Sequence, residues 1–161
     1  MVERGLARTR SAAREAILRG AVTVDGVPAQ KPGQTVSQAT PVEAETSPYV
    51  SRGGHKLAHA LDHFAVPVEG RTVLDIGAST GGFTDVLLRR GAAHVIALDV
   101  ATDQLDPTLA ADPRVTVQGG TNARAITPDD LTEGIALIDA AVRFLSLRHV
   151  LAPANEATAA A

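Results

Sequence analysis

The sequence predicts an α/β protein in two parts: a small α/β unit over residues 1–46, then a parallel sheet with crossover helices over residues 56–150. Three observations carry this. A helix-patterned stretch ends at Gly20 and leads into Asp25-Gly26, the strongest short hairpin signal. From residue 71 onward, short apolar runs alternate with helix-patterned segments, the order that builds a parallel sheet. The first of those runs passes directly into a glycine-rich turn and then a helix.

Bulk properties fit this reading. The chain has 161 residues, 45% hydrophobic and 20% charged, enough for one ordinary domain or two small ones with a packed core. Only 2% are aromatic, so that core must be built from Ala, Val, Leu and Ile. The absence of cysteine excludes a disulfide scaffold, a cysteine nucleophile and thiolate metal sites. No apolar run approaches the roughly 18 residues of a membrane helix. Residues 1–10 are charged and lack the apolar centre of a signal peptide. A soluble, cytoplasmic protein is expected, with no membrane partner. The net charge of −3 hides a segregation. Residues 1–56 carry eight Lys/Arg against five acids, and the rest carry seven against thirteen. A basic front half suits a polyanionic partner.

Taken in order, Thr9 or Ser11 can cap a helix that runs to about Arg19, with Gly20 as its stop. Ala13, Ala16 and Ile17 share one face of it, and Arg10 and Arg14 another. Ala21 to Val24 alternates as a strand, and Val27 begins its return. Too few residues precede Gly5 to form a stable helix, so a preceding segment is expected to be missing. Residues 47–55, with Pro48 and Gly53-Gly54, read as a linker. Leu57, Ala60, Leu61 and Phe64 then form a helical stripe over 56–64. Strands are expected at 71–76, 94–100, 114–117 and 135–138. Helices are expected at 83–90, near 104–111, and from Thr127. Residues 151–161 lack any period and read as a disordered tail.

The sharpest signal is the segment from Val73 to Thr84, VLDIGASTGGFT. Gly77, Gly81 and Gly82 lack Cβ atoms, which lets backbone approach a ligand. Ala78, Ser79, Thr80 and Phe83 complete the turn. Asp75 ends the strand, and Asp99 ends the next one, at the usual distance for a carboxylate that grips ribose hydroxyls. The glycine spacing is neither the dinucleotide G-x-G-x-x-G nor a phosphate loop with Gly-Lys-Ser/Thr. Two acids around a phosphate-free loop suit a cationic nucleoside, S-adenosyl-L-methionine. His55, His59 and His63 follow a four-residue spacing, but no further ligand completes a zinc set, so no metal is expected.

Together, the front unit, the segment SRGGHKL from Ser51 and the segment LDIGASTGGFT from Leu74 resemble the TlyA (hemolysin A) family. Its members join an S4 RNA-binding domain to an FtsJ-like, Rossmann-like methyltransferase domain that uses S-adenosylmethionine. The resemblance spans about residues 2–150. It implies 2′-O-methylation of a cytidine in ribosomal RNA, and it adds Asn122, within Thr121 to Arg124, to the cofactor residues. It places Arg8, Arg10, Arg14, Lys31 and Arg52 on RNA. It gives Lys56 the place of the first Lys of a Lys-Asp-Lys-Glu set that activates the ribose hydroxyl. Gap-free alignment on Phe144 puts Ala141 where the family has its Asp, and Asp139 is the nearest carboxylate. The second Lys and the Glu fall beyond residue 161. Only four strands of the family's seven are encoded. The fourth is therefore expected to be an exposed apolar edge, open to dimerisation or aggregation, and the chain to be a fragment or degenerate copy that lacks turnover. The alternatives are a non-catalytic S4-type RNA-binding module, or a membrane-damaging hemolysin, for which no spanning or strongly amphipathic basic segment exists.

Overall fold

The structure, a computed structural model, describes residues 1–7, 9–45, 47–127, 130–131, 134–141 and 147–160, the last four by backbone only. The chain divides into two compact units, Met1–Pro48 and Tyr49–Ala161. Arg8, the residues that open the helix expected from Thr127, and Phe144 lie outside the described residues.

In the first unit, helix α1 (Arg10–Leu18) is capped by Thr9, whose hydroxyl accepts the Ala12 N–H at 3.1 Å. Gly20 leaves the helix at φ +76°. Strands β1 (Val22–Val24) and β2 (Val27–Pro28) pair antiparallel, with Val24 opposite Val27. The two residues between them, Asp25 and Gly26, both have positive φ, the twist a two-residue hairpin needs. A third strand, β3 (Val42–Ala44), pairs on the other side of β1. The sequence reading contained no such strand: three residues are too few to show a period.

In the second unit, helix α2 spans Gly53–His63, so the last three residues of the expected 47–55 linker are helical. Strand β4 (Thr72–Ile76) leads into α3 (Gly82–Arg89), then β5 (His94–Asp99), the short α4 (Pro107–Ala110) and β6 (Val115–Gly119). After a 3-10 turn at Ala123–Ala125 comes β7 (Leu137–Ala140). The four strands are parallel, in the order β6-β5-β4-β7. The winding therefore runs one way through β6 and returns to the far side of β4. Among the described residues β7 has β4 as its only strand neighbour and so stands at the edge of the sheet.

The sheet is covered on both faces, which is why its strands are apolar runs rather than alternating ones. Val73 and Val95 face α2 and α3, packing with Leu57, Leu61, Val86 and Leu87. Leu74, Ile76, Ile96 and Leu98 face the opposite core, which includes Ala123, Ile126, Val150 and Ala154. The last two correct one expectation: residues 151–160 are not a structureless tail but part of α5 (Arg148–Ala160). Val150 and Ala154, one turn apart, are fully buried against the sheet. The stripe is only two small residues wide and Pro153 interrupts it, so no period was visible. Val150→Ala should lower the unfolding free energy by about 2 kcal/mol, from two lost methyl groups plus the cavity. Urea denaturation checks this, and an unchanged midpoint would mean that α5 is not docked.

Candidate functional site

A sheet whose winding reverses leaves a crevice outside the carboxyl ends of the strands at the reversal, the usual ligand site of open α/β sheets. Here the reversal falls between β4 and β7, and the glycine-rich turn leaves β4 there. Gly77 and Ala78 donate their N–H groups to Leu98 O at 2.8 and 3.2 Å, tying the turn to the tip of β5. Ser79, at φ +51°, donates its N–H to Asp99 Oδ2 at 2.8 Å. Ala101 N–H meets Asp99 Oδ1 at 3.0 Å. Asp99 is half-buried, and each carboxylate oxygen keeps acceptor capacity beyond these bonds. Ser79 and Thr80 are exposed on the lip, and so is Asn122. Asn122 Oδ1 accepts the Arg124 N–H, which leaves its amide nitrogen to donate. The crevice thus gathers Gly77, Ala78, Ser79, Thr80, Asp99 and the loop of Asn122 around the tips of β4 to β6.

Four residues expected at the ligand are engaged elsewhere. Asp75 does not line the crevice: it is fully buried, and its Oδ2 accepts the Thr84 hydroxyl at 2.6 Å. Gly81 and Gly82 make room for the chain's own side chains rather than for a ligand. A Cβ on Gly81 would strike Leu105 and Leu109, and one on Gly82 would strike Ser51. Gly54 is held in the same way against the Tyr49 ring. Phe83 is half-buried and packs against the core beneath α2 and α3.

This close packing docks the segment Ser51 to Gly54, and with it the start of α2, onto the start of α3. The sequence reading missed the residue that secures it. Asp85, 5% exposed, accepts the Val50 N–H at 2.9 Å and pairs with Arg89 at 2.7 Å. The Arg89 guanidinium lies over the Tyr49 ring, 5.8 Å from its centroid. The visible signal was an Asp–Arg pair four residues apart on a helix. Lys56 projects from α2 as an exposed side chain. Asp139 is the strand partner of Asp75, with both carboxyl oxygens shut off from solvent. Ala141 N–H bonds Ile76 O at 2.9 Å beside the crevice.

In the first unit, Arg10, Arg14 and Lys31 border one groove whose floor includes Ala13, Ile17 and Val22. Arg4 also lines it, with its guanidinium bonded to the carbonyls of Ser37 and Thr40. The acid Glu3 stands among these cations. Arg52, exposed, belongs to the second unit.

The fold defines a doubly wound α/β unit with a polar strand-end crevice, joined to a small unit with a groove bordered by Arg10, Arg14 and Lys31. Comparison with known proteins narrows the class. The FtsJ-like methyltransferase pattern matches residues 49–160, and the S4 domain pattern matches residues 1–40. The chain belongs to the FtsJ-like methyltransferase family. It is 51% identical over 154 residues to a protein of Mycobacterium tuberculosis named 16S/23S rRNA (cytidine-2'-O)-methyltransferase TlyA, covering 94% of this chain and 58% of that one. It is 39% identical to Hemolysin A of Brachyspira hyodysenteriae, over 91% of this chain and 62% of that one. A solved structure from Streptococcus thermophilus, described only provisionally as a hemolysin, superposes with a TM-score of 0.72 at 39% identity, over 94% of this chain and 58% of that one. The resemblance to the TlyA family therefore stands, although the chain spans only about three fifths of these relatives. Among the described residues no helix is long and apolar enough to cross a membrane.

Gly81→Ala tests the packing of the turn. It forces a side chain into φ +92° against Leu105 and Leu109, and should cost about 2–4 kcal/mol in urea denaturation. A loss near zero would show a loose turn.

Proposed function

We propose that this chain is the S4-plus-cofactor portion of an RNA 2′-O-methyltransferase, binding S-adenosyl-L-methionine over the tips of β4 to β6 and ribosomal RNA through the Arg10, Arg14 and Lys31 groove of its first unit. The observation that carries the reading is Asp99, tethered to the Ser79 N–H at the crevice mouth with acceptor capacity to spare. When bound, the cofactor supplies a methyl group activated on a positively charged sulfur. Asp99 accepts hydrogen bonds from the ribose hydroxyls of the nucleoside. Ser79, Thr80 and Asn122 offer polar groups at the lip, and the turn from Gly77 to Gly82 fixes the strand-to-helix reversal beneath. The second acid expected at the ligand, Asp75, acts from below: it holds Thr84, and so the start of α3, against β4. The same reading places the protein in the cytoplasm, with ribosomes.

On the acceptor side, Lys56 lowers the cost of removing the proton from a ribose 2′-hydroxyl by presenting a positive charge to the developing oxyanion. Among the described residues no carboxylate stands where it could take that proton. Ala141 occupies the position expected for it, and the Asp139 oxygens are sealed within the unit. This favours a second reading for these 161 residues: cofactor and RNA are bound, and turnover is lost. Cytidine is the target that the resemblance implies.

The crevice is tested by calorimetry with S-adenosylmethionine. Binding to the purified chain is expected, and Asp99→Ala should weaken it about tenfold or more through loss of charge-assisted hydrogen bonds. No binding, or equal binding by the variant, would remove the crevice assignment. In the same preparation, methyl transfer to ribosomal RNA is expected to be absent, and measurable transfer would restore the catalytic reading. The basic unit is tested with an Arg10→Ala, Arg14→Ala double variant. Weaker RNA binding is expected, with a log–log salt slope smaller by about 1–2. An unchanged slope would mean that phosphates do not reach this face.

A further inference from the structure

Strands β4 and β7 set two acidic side chains side by side, Asp75 fully buried and Asp139 half-buried with both carboxyl oxygens closed off from solvent. Asp75 and Asp139 are direct partners in the parallel ladder, so both leave the sheet on the face toward α3. Asp75 is fully buried and uses one oxygen, Oδ2, to accept the Thr84 hydroxyl. Its Oδ1 and both oxygens of Asp139 are closed off from solvent and receive no hydrogen bond. Two carboxylates in that position would carry two buried negative charges side by side, and three oxygens would lie desolvated without a donor. Each of these conditions costs free energy unless a proton intervenes.

The surroundings supply no countercharge. From β5, Asp99 adds a third negative charge, felt at Asp75. From α3, Thr84 contributes an uncharged hydroxyl, while Asp85 is turned to Val50 and Arg89. From α2, Lys56 and the histidines 55, 59 and 63 do not enter the electrostatics of either carboxyl, and no other cation does so among the described residues. The two carboxyls are close enough for a hydrogen bond to join them once either is protonated.

We propose that Asp75 and Asp139 form a buried proton-binding site, a carboxyl pair sharing one proton, and that the second unit folds with that proton bound. The shared proton supplies the donor that the site otherwise lacks, and it halves the buried charge. The titration of the pair agrees. Burial raises Asp75 to about 6, against partial opposition from the Thr84 hydrogen bond. Burial and then the Asp75 charge raise Asp139 well above the ordinary carboxylate range. Both groups bind protons more tightly in the folded chain than in the unfolded chain, where an aspartate titrates near about 3.9. The sign follows: the folded state holds more protons, so stability is greatest in acid and falls as pH rises through the folded values. This is the opposite of the usual acid denaturation of salt-bridged carboxylates. The inference does not depend on the reaction proposed above.

The test is thermal unfolding of the full chain from pH 5 to 8.5, for the native sequence, Asp139→Asn and Asp139→Val. The native midpoint should fall by about 3 °C or more per pH unit above about pH 6, where the folded pair still holds one proton that the unfolded chain has released, and level off once that proton is gone. Both variants should flatten the profile and exceed the native midpoint at pH 8, because Asn supplies its own donor and Val removes the charge. Carbon-13 NMR of the aspartate carboxyls in the native chain reads the pair without any substitution. Two coupled titrations should appear, both above the ordinary range. Magnesium or a chelator should leave the native profile unchanged. Four results would overturn the proposal: a flat native profile, a slope above pH 6 retained in Asp139→Asn, both carboxyls titrating near 4, or rescue at pH 8 by magnesium, which would make the pair a metal site.

Discussion

The architecture of the second unit depends on one constraint: β4 must be the innermost strand from which the winding departs in both directions. Its apolar residues Val73, Leu74 and Ile76 are wholly buried, serving both cores at once. Its position between β5 and β7 places the glycine-rich turn over the point of reversal. The turn cannot drift, because its amides are committed to Leu98 and Asp99 on β5, and because Gly81 and Gly82 are wedged against neighbours that leave no room for a Cβ. A crevice with fixed walls is the consequence, and its polar lip follows from which residues remain outside that packing.

Most of this frame was legible in the sequence, because it is written in local patterns. The Asp25-Gly26 hairpin required two positive φ values and has them. The strands at 72–76 and 94–99 are apolar runs too short for helices and bounded by turn residues. What escaped notice depends on packing between distant segments. Glycines 81, 82 and 54 look like a ligand cradle in one dimension, and in three they are close contacts with Leu105, Ser51 and Tyr49. Asp85 reads as a solvated helix residue until Val50 is seen to lie against it. Strand β3 is too short, and helix α5 too poor in large apolar residues, to announce itself.

The two aspartates flanking the glycine turn illustrate how one residue type serves opposite ends. Asp99, at a strand tip, is half-buried and holds backbone amides with acceptor capacity left over. Asp75, two ladder positions deeper on the neighbouring strand, is sealed and meets a hydroxyl and a second acid. A shift of two residues along a strand keeps the side chain on the same face and moves it from the lip into the core. The same shift separates Asp139 from Ala141. Asp139, two residues before Ala141 on the same face, has both carboxyl oxygens closed off from solvent.

The central claim is that the turn after β4 and the tips of β5 and β6 form a cofactor crevice. Amide NMR of the labelled chain titrated with S-adenosylhomocysteine, the demethylated form of the donor, tests it most directly. Saturable shifts are expected, concentrated at residues 77–82, 99–101 and 121–122, with the first unit unmoved. Shifts confined to residues 1–48, or none at ligand concentrations that saturate ordinary methyl-donor sites, would contradict it.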